Sequence, residues 1–349
     1  MSIPSINNPG ATMTRISTQA FPEIVSIIRY QFNLKKLVFP KRAEQLFIKE
    51  PMPYFTGNSR IFKEVDTDMY GRSKKEGQQA YQTKTVVGYE KIIYVNRIGA
   101  NVPISWEARK QGRDSEITTN ITNISEINFN RKELDLSLVF GFATSTSLTD
   151  MDGNTVDLTT GDSFQLLYSA HTLAASATTY ANRITGDPAF SKGAYQVGIN
   201  QGNANSYNNL GQAVPFMPNI IISTDDEETV DEINKLFKSK ADPSAANSGV
   251  YNTYEGTGLK HVVLPQMNFT AVGAKDLTKR RWWFIARCDG TTNGFQAYYM
   301  LLEDNNVRMP ATGNNGEDIL TDDWIFATRM TYGYGVVVAH NIFGSCPTN

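Results

Sequence analysis

The sequence predicts an α+β chain built around one very long helix, and three observations predict it. From Asp114 to Thr146, Ile117, Ile121, Ile124 and Ile127, then Leu134 and Leu138, recur at helical spacing as one apolar stripe, with Phe129, Leu136 and Phe140 as a second row. From Ser59 to Arg97, two extended arms flank the polar stretch GRSKKEGQQA. From Pro218 to Pro265, PNIIIS, TDDEETVDEINKLFKSK and HVVLP read as a strand, an amphipathic helix and a second strand, an α/β unit.

A chain of 349 residues with 40% apolar and 19% charged residues has room for about two cores. Its 33 Lys and Arg against 35 Asp and Glu give a net charge of -2, which argues against a protein whose main work is gripping phosphate backbones. Cys288 and Cys346 fit neither a disulfide scaffold nor a metal motif and read as free thiols of a reducing compartment. No apolar run approaches the ~18 residues of a membrane span, and MSIPSINNPG lacks the build of a secretion signal. The chain therefore reads as unsecreted and unanchored.

Residues 1 to 20, with Pro4, Pro9 and Gly10 and no apolar periodicity, read as an arm that orders against something else. Pro22 sits well at the first turn of a short helix that stops before Pro40. The arms on either side of GRSKKEGQQA are longer than ordinary strands, so a projecting hairpin is expected. Its apolar residues Ile61, Phe62, Val65, Tyr81, Val86, Ile92 and Tyr94 imply a neighbouring surface, such as another subunit. The long helix, capped by Asp114 or Ser115 and ending near Gly141, would span roughly 43 Å from Ser115 to Ala143.

Beyond it, TDMDGNTVD places Gly153 too early for a calcium loop and reads as a tight hairpin. GDSFQLLYSAHTL is a short buried segment, and the Asn- and Gly-rich residues 198 to 212 read as mobile surface. In the α/β unit, Val230, Ile233, Leu236 and Phe237 face inward. Asp225 to Glu228 form its acidic first turn, as a helix dipole favours, and neutralising Asp226 with Glu227 is expected to cost only about 1 kcal/mol. RRWWFIAR and FQAYYMLLE read as a hairpin whose aromatic residues belong to a core or interface rather than to a nucleic-acid platform. The closing DDWIFATRMTYGYGVVVAHNIFGS is strand-like, with Gly333 and Gly335 as a bulge or bend.

Catalytic patterns are missing from the sequence: it has no phosphate loop, no H-E-x-x-H, no G-x-S-x-G and no complete dinucleotide fingerprint. His171, His261 and His340 lie far apart in apolar segments and read as satisfied core histidines rather than zinc ligands. No catalytic residue, metal site or cofactor is expected.

Taken in order, VPISWEARKQG, RKELDLSLVFGFATSTSLTDMDG followed by LLYSAHTL, PNIIISTDDEETVDEINKLF and the closing strand run resemble the major capsid proteins of tailed bacteriophages, which share the Johnson fold. The resemblance implies an N-terminal arm over 1–35 and an extended loop over 56–104 lying across the adjacent subunit. It further implies a peripheral domain over 36–55, 105–214 and 311–349, with a spine helix at about 115–143, and an axial domain over 215–310. It implies hexamers and pentamers in an icosahedral shell, packaged double-stranded DNA touched non-specifically, a portal and decoration proteins, and assembly in the host cytoplasm into a virion. The short segment before the arm implies that any scaffold is a separate protein. Arg72, Lys74 and Lys75 at the tip, with Ile61, Phe62, Tyr81 and Ile92 along the arms, are then the expected contacts between subunits. An α/β enzyme of unknown substrate, or a nucleic-acid-binding module using Arg280, Arg281 and Arg287 beside Trp282 and Trp283, are the alternatives.

Overall fold

In the computed structural model, which describes residues 21–52, 57–105, 107, 114–242, 249–290, 294–308 and 323–348, the chain begins with helix α1 (Phe21–Val38). The expected arm over residues 1 to 20 lies outside the described residues. Strands β1 (Ile48–Pro51), β2 (Ser59–Thr67), β3 (Thr85–Tyr94) and β4 (Asn96–Ile104) precede the long helix α2 (Asp114–Gly141). Two small hairpins follow, β5 (Ser147–Thr149) with β6 (Thr155–Asp157) and β7 (His171–Leu173) with β8 (Ser176–Tyr180). Next come helix α3 (Lys192–Asn205), β9 (Ile220–Ser223), helix α4 (Glu227–Lys238) and β10 (Lys260–Val263). The chain closes with β11 (Trp283–Ala286), β12 (Gln296–Arg308), β13 (Trp324–Val338) and β14 (Ile342–Ser345). The mixture of helices and separate sheets is the α+β class expected.

The residues group into two units, one of 1–40, 97–131 and 303–331 and the other of 41–96, 132–302 and 332–349, with the boundary falling inside α2, β12 and β13. In the first unit, α1 buries Phe32, and Phe39 just after it stacks on Phe129 of α2 with ring centroids 5.2 Å apart. Lys35 pairs with Glu126 at 2.5 Å, Lys36 with Asp304 at 2.6 Å, and the buried Asn128 amide donates to Asn305 at 2.9 Å. Ile124 and Phe129 are buried as the stripes require, but Ile127 is 49% exposed. Ile127 corrects the single continuous stripe, because neighbours rather than periodicity decide which face of so long a helix is covered.

The core of the second unit is a sheet of order β10-β9-β11-β14. β9 and β10 are parallel and joined through α4, as an α/β unit must be, whereas β11 runs antiparallel to both β9 and β14. Every residue of β9, β11 and β14 is buried. Ile233 and Leu236 of α4 and Tyr195 of α3 pack on it beside Trp283, Ile285 and Phe343. In α4 the fully inward positions are Thr229, Ile233 and Leu236, while Val230 and Phe237 are only partly covered.

Two expectations fail here. Residues 198–212 are not a surface loop throughout: most of α3 lies in them, and Gly198, Gly202, Asn208 and Asn209 are buried. Glycine is required at 202, where a Cβ would come within 2.2 Å of the Phe216 ring. Residues 280–303 are not a hairpin. β11 joins the sheet just described, while β12 lies in a different sheet of order β1-β12-β13-β4, parallel to β1 with Ile48 opposite Tyr298. Two adjacent apolar strands pair where the rest of the chain offers edges, and local sequence does not encode that choice.

Candidate subunit interface

β2 and β3 form the expected antiparallel hairpin, with Ile61 opposite Ile92 and an irregularity between Lys63 and Val65. The paired lengths are shorter than the arms read from sequence, because the chain leaves extended pairing near Thr67 and re-enters it at Thr85, and residues 96–104 form β4 instead. Alternation along the strands separates two faces. Inward, Phe62 stacks on Tyr298 at 4.2 Å and joins Met52, Ile93, Met300, Val337 and Val338 in one cluster. Phe62, expected at a neighbour, is thus buried within its own chain. Outward, Ile61 (52% exposed), Ile92 (44%), Val65, Val87 and Tyr94 form an exposed apolar band, interrupted by the Lys63–Glu90 ion pair at 2.9 Å.

The seat of the hairpin explains the paired glycines of the closing strand. β13 runs unbroken through Gly333 and Gly335, and at 333 a Cβ would sit 2.4 Å from the Tyr94 carbonyl oxygen. Gly333 therefore admits the hairpin at close range. Gly333→Ala is expected to unseat β3, seen as lost amide protection across Tyr89 to Tyr94 with the β9–β11 sheet unchanged.

The tip is held at its base. Tyr81 donates its hydroxyl to Asp68 at 2.7 Å, the Lys84 amide donates to the same carboxylate at 3.0 Å, and the Arg72 guanidinium lies 4.1 Å over the Tyr81 ring. The Tyr81 hydrogen bond leads the causes that hold the Asp68 carboxyl below its ordinary range. The Met69 amide donates to Gln212 at 2.9 Å, and Tyr70 donates to the Ala213 carbonyl. Beyond this anchor Lys74 and Lys75 are exposed. Of the expected contacts, the structure brings Arg72 and Tyr81 together, leaves Ile61, Ile92, Lys74 and Lys75 outward, and turns Phe62 in.

The other polar constellations are structural. Asp150 accepts from the Asp152 and Asn154 amides at 3.0 and 2.8 Å, closing the β5–β6 hairpin as read. Among the described residues no group of three or more His, Cys, Asp or Glu is placed to hold a metal ion. Cys288 and Cys346 are free thiols, each pushed up to about 12 by burial, which leaves them inert at neutral pH. His261 bonds Ser223 at 2.8 Å. His171 and His340, far apart in sequence, both pack on Tyr180 with ring centroids at 5.0 Å. Trp283, Phe284 and Tyr299 are fully buried, so these rings build core.

Asp226 corrects one magnitude. It caps α4 through the Thr229 amide at 3.2 Å, is buried, and pairs with Arg280, while Glu228 pairs with Arg281. Burial works against its ionised form, but the Thr229 and Arg280 contacts outweigh it and hold the carboxyl below its usual value. The contribution is therefore present above the ordinary carboxylate range and lost as pH falls through it. Asp226→Ala is expected to cost about 2 kcal/mol by urea unfolding, with exposed Glu227→Gln changing stability by less than about 0.5 kcal/mol.

No protein family and no curated protein matches the chain. Among solved structures, it is similar to a chain described as the capsid structure of the cyanophage P-SCSP1u, with 12% identity, a TM-score of 0.48, and 90% of this chain and 95% of that one covered. A chain from Mycobacterium phage Patience covers 99% of this chain and 97% of its own, with 10% identity and a TM-score of 0.47. A chain from the capsid of an empty GTA particle covers 89% of this chain and 95% of its own at 11% identity, with a TM-score of 0.47. What the chain is similar to, along most of its length, is phage and GTA particle structures, capsids where their descriptions say so.

Proposed function

We propose that the chain is the major capsid subunit of a phage-like particle, assembling as hexamers and pentamers into an icosahedral shell that encloses double-stranded DNA. The observation that carries the reading is the hairpin: its base is fixed by buried contacts while its outer face exposes Ile61, Val65, Val87, Ile92 and Tyr94 in one band. An exposed apolar band of this kind is a surface for a partner. On this reading residues 56–104 are the extended loop, α2 is the spine helix, residues 215–310 carry the axial domain, and the peripheral domain takes most of the rest. Scaffold, portal and decoration proteins are the further partners, with DNA contacted non-specifically.

The enzyme alternative finds little to use. A described cleft of about 640 Å³ is lined by Tyr195, Gln196, Ile199, Asn200, Tyr254 and Leu259 among others, offering aromatic surface and amides rather than an acid–base pair. The arginines of the nucleic-acid alternative are occupied, Arg280 by Asp226, Arg281 by Glu228 and Arg287 by Asp289.

Negative-stain microscopy of the purified chain tests the reading: shells, tubes or capsomer rings are expected. Lys74→Glu with Lys75→Glu is expected to leave the subunit folded and to lower particle yield and salt resistance, since small ionic terms repeat at every subunit of a closed shell. Unchanged yield and salt resistance would remove the tip from the interface.

A further inference from the structure

Glu64 and Asp66 occupy the inward face of β2, each only 3% exposed, where a half-buried strand ordinarily carries apolar residues. Asp66 is satisfied, accepting from the Asn209 backbone and side-chain nitrogens at 2.8 and 3.0 Å. Glu64 is not. Its Oε1 is buried without a hydrogen-bond partner, and His340 Nδ1, in the turn after β13, stands 3.5 Å away. The two side chains border a small, half-open space whose other polar walls are Tyr89, Thr160, Asp162, Thr172 and Tyr180.

We propose that Glu64 and His340 share one proton and act as a single neutral latch that seats the β2–β3 hairpin, each group masking the pH response of the other. The proposal concerns a single chain and does not rest on the shell reading. An acid and a base, both buried and 3.5 Å apart, stay jointly neutral with one proton between them, whichever holds it. With none, a buried carboxylate faces a neutral ring. With two, a buried imidazolium faces a neutral acid, and both states cost desolvation.

The surroundings reinforce this in opposite directions. Burial first, with Asp66 on β2 and Asp162 ahead of β7 adding repulsion against the Asn209 hydrogen bond, raises Glu64 from 4.5 to about 7. Burial, with His171 on β7 adding to it and Asp162 opposing, lowers His340 from 6.5 to about 4. Of the remaining groups, His171 is held by Asp162 at 2.7 Å, Tyr89 on β3 pairs with Thr172 at 2.8 Å, Lys91 on β3 pairs with Asp157 at 3.2 Å, and Tyr180 on β8 stays protonated because burial raises it. The raised acid gives stability that is full below 4.5 and lost as pH climbs through about 7. The lowered base gives stability that is full above 6.5 and lost as pH falls through about 4. Their slopes oppose and nearly cancel.

Amide hydrogen exchange on the unassembled full-length chain tests this, with protection of β2–β3 read as a ratio to β9 and β11 in the same sample. From pH 5 to 8.5 the native ratio is expected to change by less than about threefold. In His340→Gln it is expected to fall by about tenfold or more as pH rises, and in Glu64→Gln to rise by about tenfold from pH 5 to 7. Both variants following the native profile, or a native ratio that itself swings tenfold, would overturn the shared proton. Should a variant fail to fold, carboxyl-¹³C and imidazole-¹⁵N resonances of the native chain decide. One proton on the pair between pH 5 and 6.5 supports the latch, and none or two overturns it.

Discussion

Replacing Ile61 with lysine and Ile92 with glutamate together is expected to abolish particle assembly while leaving a folded subunit. The two residues lie directly opposite each other across the hairpin and point outward, 52% and 44% exposed. In the free subunit an opposite-charge pair at this register replaces an apolar pair with a cross-strand ion pair and extends the adjoining Lys63–Glu90 pair, so local pairing survives. Unfolding by urea should shift by less than about 0.5 kcal/mol. In an assembly that covers this face the same change removes two apolar side chains, each worth up to roughly 1.5–3 kcal/mol on full burial, and forces two charges out of water. In the proposed shell the penalty recurs at every subunit, so its effect on closure is all or none. Particles at native yield would show that the band faces solvent in the assembly.

What the sequence made legible was whatever is encoded locally. The helical spacing of α2, the strand–helix–strand of β9, α4 and β10, and the Asp150–Gly153 turn all follow from neighbours within a few residues of one another. Helix α3 was hidden because Gly198, Gly202 and its asparagines are poor helix formers, and only packing explains the glycines, Gly202 against the Phe216 ring and Gly198 against Ile184 and Ile285. The separation of β11 from β12 was hidden because strand partners are chosen by edges supplied elsewhere in the chain. The latch was the least legible. The sequence predicts a projecting hairpin, yet Glu64 and Asp66 form the inward face of its first strand, and His340 reaches Glu64 only after the closing strand has turned. The charged positions inside α2 belong to the same class. Lys132, Glu133 and Asp135 sit where an amphipathic reading expects a wet face, but all three are buried.

Those buried charges set the second large effect: Lys132→Met is expected to destabilise the subunit by about 3–5 kcal/mol. Lys132, 3% exposed, pairs with Glu44 at 2.6 Å. Its neighbour Glu133 accepts from the Arg42 and Ala43 amides at 3.1 and 2.9 Å. Burial raises the Glu133 carboxyl, while those amides and the positive charge of Lys132 work against the rise. Removing Lys132 leaves two carboxylates in a largely dry site, with the exposed Lys49 at 3.8 Å from Glu44 as the remaining cation among the described pairs. The loss should be smaller at pH 5 than at pH 8, because Glu133, whose carboxyl burial raises, escapes the penalty by taking up a proton. Adding Glu44→Leu should return much of the stability, since an apolar pair of similar volume carries no desolvation cost. Urea unfolding of the two variants at both pH values checks the sign and the size. A single-variant loss below about 1 kcal/mol would mean that water already reaches the pair in solution.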